Sequence, residues 1–449
     1  MEASLAQNRN RTQNNGTLML GVVLLVIAAG LLIKPFMPAP VVAPGAAVDA
    51  EALLATGGKA DDGYTDRVIG DMQARIKSEP GDYRAHASLG VAYQQKARET
   101  NDPAYYTEAE NAFKQALQIK PDDYNSLAGM GALELSRHNF TSALEWGNRA
   151  QRVIPDKAYA YGVVGDAHIE LGNYDEAVAS FQRMIDLRPD LSSYARVSYA
   201  RELNGDVDGA IQAMQQAIAA GGPAAENTAW CRVQLGHLFF NSNRPADAEH
   251  AYTDALAGYP GYTHAQAGLA QVRWAQGRTG EAIELYKQAT TSVPLPQYIA
   301  ALGDIYASTG DKLAATEQYD LVRYIYDLQR KGGVVVDIEQ AAFYADHDLH
   351  LDEALTLAQA AAKGRNDVNT LDTLAGALYK NGRYEEALST QRKAMRLGTR
   401  NAAFYYHLGM IQNALGKTDE ARISVEIATA INPNFSPIYS PEARAFLDK

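Results

Sequence analysis

Residues 235–260 read LGHLFFNSNRPADAEHAYTDALAGYP, and this stretch decides the fold. Leu235, Gly236 and Phe239 share one helix face, and Ala248, Tyr252 and Ala255 share another. Pro260 closes the unit, because proline ends the second helix or starts the next. The same arrangement recurs along the chain. Pro121, Pro155, Pro189 and Pro223 are each 34 residues apart, and so are Pro260 and Pro294. Ala109, Ala143, Ala177, Ala210, Ala248, Ala282, Ala315, Ala354, Ala387 and Ala421 form a second ruler, with steps of 33 or 34 and two longer ones, 38 and 39. The long steps coincide with Gly221-Gly222-Pro223 and Gly332-Gly333, which read as loop insertions.

The residue types fit two helices packed face to face. Gly131, Gly165, Gly236 and Gly303 let the helices of one unit approach, and the alanine does the same from the second helix. An aromatic four residues on fills the space beside it: Ala109/Phe113, Ala177/Phe181, Ala248/Tyr252, Ala282/Tyr286 and Ala315/Tyr319. Polar turns such as Leu171-Gly172-Asn173-Tyr174-Asp175-Glu176-Ala177 separate the helices. Asp175, Asp247, Asp352 and Asp419 stand near second-helix starts, where a carboxylate can cap free N–H groups.

Leu-Gly-x-x-Tyr, then Ala-x-x-x-Phe, then Ala-x-x-x-x-Pro resembles the tetratricopeptide repeat (TPR). It stands intact in Leu89-Gly90-x-x-Tyr93 and in the stretch quoted above. About ten repeats cover residues 82–435; the first carries about seven extra residues near Glu99–Tyr105, and the one beginning near Val335 is the most degenerate. The resemblance implies an all-α, right-handed superhelix whose groove is lined by each repeat's first helix. Residues 64–81 and 436–449 read as N- and C-terminal caps, since end repeats cannot leave an apolar face bare.

Ahead of the repeats, Thr17 to Ile33 holds six Leu, three Val and two Ile, and no residue from Thr12 to Ile33 is charged. The apolar run favours insertion by about 3–7 kcal/mol and spans about 25 Å as a helix. Residues 17–34 therefore read as a transmembrane anchor after a short cytoplasmic N-terminus, 1–16. Arg9 and Arg11 precede the span and Lys34 follows it, which places the N-terminus in the cytoplasm and the rest outside. The alternative is a cleaved signal peptide and a secreted chain. Pro35, Pro38, Pro40, Pro44 and Gly57-Gly58 make residues 35–63 a linker, reaching roughly 30 Å as a coil and about 90 Å extended.

The net charge is −12; residues 1–34 carry +2, which leaves −14 for the rest. Such a surface repels phosphate backbones and argues against nucleic-acid binding. Cys231 stands alone, so there is no internal disulfide, no Cys-x-x-Cys site and no lipobox; it reads as a small buried hydrophobe. A cytoplasmic solenoid with a rubredoxin-like zinc module, seen in some anchored repeat proteins, would need several cysteines. Gly416-Lys417-Thr418 lacks the glycine of a phosphate-binding loop, with Ile411 in its place. Neither His-Glu-x-x-His nor Gly-x-Ser-x-Gly occurs. The reading is of a non-enzymatic chain with no cofactor and no small-molecule substrate.

Two candidate sites remain. Aligned on the alanines, Trp230, His237, Phe240, His264, Gln271, Trp274, Asp304 and Phe343 take groove positions by family analogy. Aromatics and histidines in series suit a peptide or protein partner. The competing reading makes Trp230 and Trp274 ordinary core between neighbouring first helices. The second candidate is Asp346-His347-Asp348-x-His350 with Asp352-Glu353, a metal-handling or accessory enzymatic site if these side chains converge; aligned on Ala354 it falls in the polar turn between the helices of a degenerate repeat, which favours an ordinary solvated turn. The leading expectation is a membrane-anchored scaffold outside the cytoplasmic membrane, similar to bacterial envelope proteins with one span and a repeat domain. It would serve cell-envelope assembly, secretion or cofactor insertion.

Overall fold

The computed structural model describes residues 63–100, 102–222, 226–331 and 335–449. The expected anchor and nearly all of the linker lie outside them. Among the described residues every element is a helix, and none is long and apolar enough to cross a membrane.

A lone helix, α1 (Tyr64–Ser78), precedes ten helix pairs: α2 (Tyr83–Thr100) with α3 (Ala104–Ile119), α4 (Tyr124–Ser136) with α5 (Phe140–Val153), α6 (Ala158–Leu171) with α7 (Tyr174–Leu187), α8 (Leu191–Leu203) with α9 (Val207–Ala220), and α10 (Glu226–Asn241) with α11 (Pro245–Gly258). The second five are α12 (Thr263–Ala275) with α13 (Thr279–Ser292), α14 (Pro296–Ser308) with α15 (Lys312–Lys331), α16 (Asp337–Asp346) with α17 (Leu351–Gly364), α18 (Val368–Lys380) with α19 (Tyr384–Ala394), and α20 (Ala402–Ala414) with α21 (Thr418–Ile431). A short helix, α22 (Tyr439–Leu447), follows.

The alanines of the second helices are at most 3% exposed, as a contact point between paired helices must be. Each large aromatic beside them needs a slot, and glycines provide it. A Cβ on Gly90 would lie 2.6 Å from the Phe113 ring, and one on Gly129, in the next repeat, 2.4 Å from it. Tyr252 is held the same way between Gly236 and Gly268, at 2.3 and 2.4 Å. One aromatic thus ties two successive first helices together. Pro121, Pro155, Pro189, Pro260 and Pro294 each stand two residues beyond a second helix, where no intrahelical N–H is required. Several first helices begin on acid or amide caps: Asp123 accepts from the Ser126 N–H, Asp190 from Ser193, Asp367 from Thr370 and Asn401 from Ala403.

Two local expectations are corrected. Asp175, Asp247, Asp352 and Asp419 lie inside the first turn of their helices, and no side-chain cap hydrogen bond forms at these N-termini; they act through the helix dipole instead. The lengthening before the eighth repeat is not only a loop: α15 runs 20 residues, against 14 for most second helices, so much of the insert is helical.

Neighbouring first helices touch along most of the array, whereas no two neighbouring second helices pack comparably. First helices therefore form the inner layer and the array curves around them. The curvature brings the chain back on itself. The turn between α6 and α7 meets the junction of α17 and α18: Arg365 Nη2 donates to Glu170 Oε2 at 2.6 Å, the Asn366 N–H to the Glu170 carbonyl at 3.3 Å, and the Val368 N–H to the Tyr174 hydroxyl at 2.8 Å. One repeat on, Thr399 Oγ1 donates to the Leu203 carbonyl, and a repeat later Asn432 Nδ2 donates to the Phe240 carbonyl at 2.9 Å. These partners are 192–196 residues apart and the spans include one or both lengthened repeats, so the array turns once in about 5.5 repeats. Gly172 and Gly205 permit the approach, because a Cβ on either would fall 2.4 and 2.6 Å from the carbonyls of Asn366 and Gly398. Ile169, Tyr174, Phe181 and Leu203 share an apolar cluster with Val368 and Phe404 across this seam.

Candidate functional site

The residues expected in the groove fall into two groups. Trp230, Phe240 and Phe343 are buried, at 6%, 2% and 5% exposure. Trp230 and Phe240 belong to the core around α10 and α11, and Phe343 lies against Tyr319, Tyr326, Tyr344 and His347. For Trp230 the core reading therefore holds, and these three rings form the floor beneath the inner face. His237, His264, Gln271, Trp274 and Asp304 are partly exposed.

Their polar atoms are organised by second helices and by the next repeat. His237 Nδ1 lies 2.8 Å from the Tyr252 hydroxyl, and His264 Nδ1 lies 2.6 Å from the Tyr298 hydroxyl of the following first helix. Burial pushes the His264 pKa down to about 4, so the ring is neutral at pH 7. Asp304 accepts from the Tyr319 hydroxyl at 3.0 Å and from His347 Nε2 at 2.8 Å. Burial alone would lower the His347 pKa, but the Asp304 hydrogen bond and charge outweigh it, and the pKa is raised. Trp274 packs its inner edge on the apolar cluster of α12–α14.

The candidate metal cluster is taken apart. His347 joins Asp304 and the Phe343 carbonyl; Asp346 accepts from the Tyr439 hydroxyl at 2.8 Å; Asp348 takes Lys380 at 2.7 Å; the His350 ring lies against Tyr344. Consecutive residues at a helix end point in different directions, so density in sequence is not convergence in space. Among the described residues no group of three or more His, Cys, Asp or Glu side chains could hold a metal ion. Cys231 is fully buried and burial raises its thiol pKa, which suppresses the thiolate.

Sequence reasoning missed the charged groups buried at the seam and on the inner face. Arg365 pairs with Glu170, has Asp367 at 3.3 Å and Glu339 at 4.0 Å, and stacks 5.1 Å above the Phe140 ring. Burial raises the carboxyl pKa of both Glu170 and Glu339. Arg196, 5% exposed, makes a two-pronged pair with Asp166 at 3.0 and 2.7 Å. Asp166 and Arg196 lie on successive first helices, 30 residues apart, and could have been paired from the repeat register. Arg365 and Glu170, 195 residues apart, gave no local signal.

The geometry defines a class: an all-helical repeat array in which most neighbouring first helices pack into an inner layer, with no group of side chains that could hold a metal ion among the described residues. The tetratricopeptide-repeat family profile matches residues 150–192, 164–226, 233–295 and 373–434, and the chain carries tetratricopeptide repeats over these segments. Cellulose synthase operon protein C of Komagataeibacter sucrofermentans is 27% identical over 308 residues, 63% of this chain and 19% of that protein. Mouse superkiller complex protein 3 is 32% identical over 85 residues, 19% of this chain and 5% of that protein. The chain thus spans at most about a fifth of the length of these relatives. Among solved structures, yeast Tom70 is similar at 13% identity with a TM-score of 0.38, covering 86% of this chain and 95% of that one.

Proposed function

We propose that the chain is a membrane-anchored scaffold that holds protein partners on the inner face of its repeats, outside the cytoplasmic membrane, in assembly or secretion at the cell envelope. The observation that carries the binding reading is the inner layer of first helices, on which His264, Gln271, Trp274 and Asp304 stand partly exposed over a floor of buried aromatics. A surface with large partly apolar side chains on a rigid backing suits an interface. The name of a relative, superkiller complex protein 3, speaks of a complex and agrees with such a role. Support for the anchor is the uncharged 12–33 segment behind Arg9 and Arg11.

Trp274→Ala tests the binding reading. An interface anchor costs about 2 kcal/mol when truncated, a roughly thirtyfold loss of partner affinity. Affinity should fall by that much while the helix signal and unfolding midpoint stay nearly constant. A fall in stability of about 3–5 kcal/mol with partner capture intact would make Trp274 core and remove it from the site.

A further inference from the structure

Asp346 faces away from its sequence neighbours into a cavity of about 80 Å³ at the C-terminal end of the inner layer. Three first helices and α22 build it: Ala345 and Asp346 come from α16, Gly376, Tyr379 and Lys380 from α18, Tyr406, His407 and Met410 from α20, Tyr439 and Glu442 from α22. A single water needs at least about 10–15 Å³ and takes about 30 Å³ in the liquid, so the space holds a few waters, enough for the end of a long side chain. A Cβ added to Gly376 would meet nothing within 4 Å, so this glycine leaves space open where a side chain would project.

The charges of the cavity do not cancel evenly. Lys380 is taken by Asp348 at 2.7 Å. His407 Nδ1 lies 3.1 Å from both oxygens of Asp372, which also accepts from Gln391 at 2.7 Å. Lys380 and the His407 ring thus each have a carboxylate partner of their own. Asp346 and Glu442 have no cationic partner within ion-pair distance: among the described residues Asp346 accepts only the Tyr439 hydroxyl, at 2.8 Å, with burial raising its pKa against the more distant charges of His407 and His347, and the exposed Glu442 accepts only the Tyr406 hydroxyl, at 2.6 Å. Neither makes an ion pair with a described residue. The two tyrosine rings stack, with centroids 4.8 Å apart, and the pKa of both is raised, chiefly by burial, so they remain donors to the carboxylates. Two carboxylates with no ion pair to a described residue, each with a second oxygen that accepts no bond from one, stand beside aromatic rings that also favour cations.

We propose that this cavity receives a Lys or Arg side chain of the partner, its ammonium or guanidinium bridging Asp346 and Glu442 against the Tyr406 and Tyr439 rings. The proposal rests on the scaffold reading and supplies the chemistry of one partner anchor. It lies at the eighth to tenth repeats, beyond Trp274 along the same inner layer.

Small cations test it on the full-length chain in detergent micelles. Ligand-observed saturation-transfer NMR is run with n-butylammonium, n-butylguanidinium, neutral n-butanol and anionic n-butanesulfonate. Saturable binding is expected for at least one cation and for neither control; the cation bound more tightly distinguishes a lysine from an arginine partner side chain. Gly376→Leu fills the cavity without altering a charge and should abolish binding. Glu442→Gln, on the terminal helix, should weaken it about tenfold or more, because a charge-assisted bond is lost. Circular dichroism establishes that both variants are folded. Absence of cation binding, binding retained in Gly376→Leu, or preference for the sulfonate would overturn the assignment. Because the probes are not the partner, such a failure leaves the scaffold reading standing, whereas failure of the Trp274→Ala test bears on that reading and not on this cavity.

Discussion

Arg365→Ala should loosen contacts across the whole seam, although it removes one side chain. Arg365 is 13% exposed and holds Glu170, 10% exposed, at 2.6 Å from a repeat 195 residues away in sequence. Removing one partner of a buried pair costs about 3–5 kcal/mol, because the charge left behind has neither water nor a counter-ion. Glu170 has an escape: it can take a proton, and protonating an ordinary carboxyl at pH 7 costs about 3 kcal/mol, which favours the lower end of that range. Loss of the stack on Phe140 adds about 0.5–1 kcal/mol. The assay is hydrogen exchange, since stability in a repeat array is local and a single unfolding midpoint blurs it. Exchange should quicken in concert at residues 170–174 and 203–206 on one side and at 366–370 and 398–401 on the other. A cycle with Glu170→Ala should give a coupling of up to about 3 kcal/mol. Faster exchange confined to residues 364–368 would refute the reasoning, because the seam would then be touching without being held.

Other outcomes follow from the same geometry. Gly268→Ala puts a Cβ 2.4 Å from the Tyr252 ring and should cost about 1–3 kcal/mol in urea unfolding, whereas Gly376→Ala, with open space around it, should be neutral or mildly stabilising. His264 has a folded pKa near 4, below its ordinary 6.5, so the stability it contributes is present above pH 6.5 and lost as pH falls toward 4. That loss amounts to roughly 3 kcal/mol, and His264→Gln should flatten this part of the stability–pH curve. Protease added to spheroplasts should digest the repeats and leave a small membrane fragment; full protection would reverse the proposed orientation, and a mature N-terminus beyond residue 40 would show cleavage.

The repeats were legible because their determinants are local and recur. Ala177 needs Phe181 four residues on and Gly165 twelve before it, and that spacing can be read with no knowledge of the third dimension. The seam is different: Thr399 meets Leu203 only because curvature accumulates over several repeats, and no neighbour of either residue records it. Large residues on first helices were ambiguous for a related reason. Phe240 and Trp274 both fit groove positions, yet the first is a covered floor and the second is partly exposed, a difference set by how closely adjacent repeats approach. In the Asp346–His350 cluster, neighbours in sequence are not neighbours in space. Asp346 instead faces Tyr439, 93 residues away, and the cavity they share has no signature in either segment.

The central claim is that a partner is held on the inner layer of first helices, and site-specific photo-crosslinking in native membranes tests it most directly. A photoreactive phenylalanine is placed at Gln271 or Trp274 on the inner face, and at Leu313 or Ile423 on second helices, which are 73% and 57% exposed. The account predicts one discrete adduct from the inner positions that disappears with excess unlabelled repeat protein, and none from the outer pair. Adducts arising only from Leu313 and Ile423, or equally from all four positions, would contradict it.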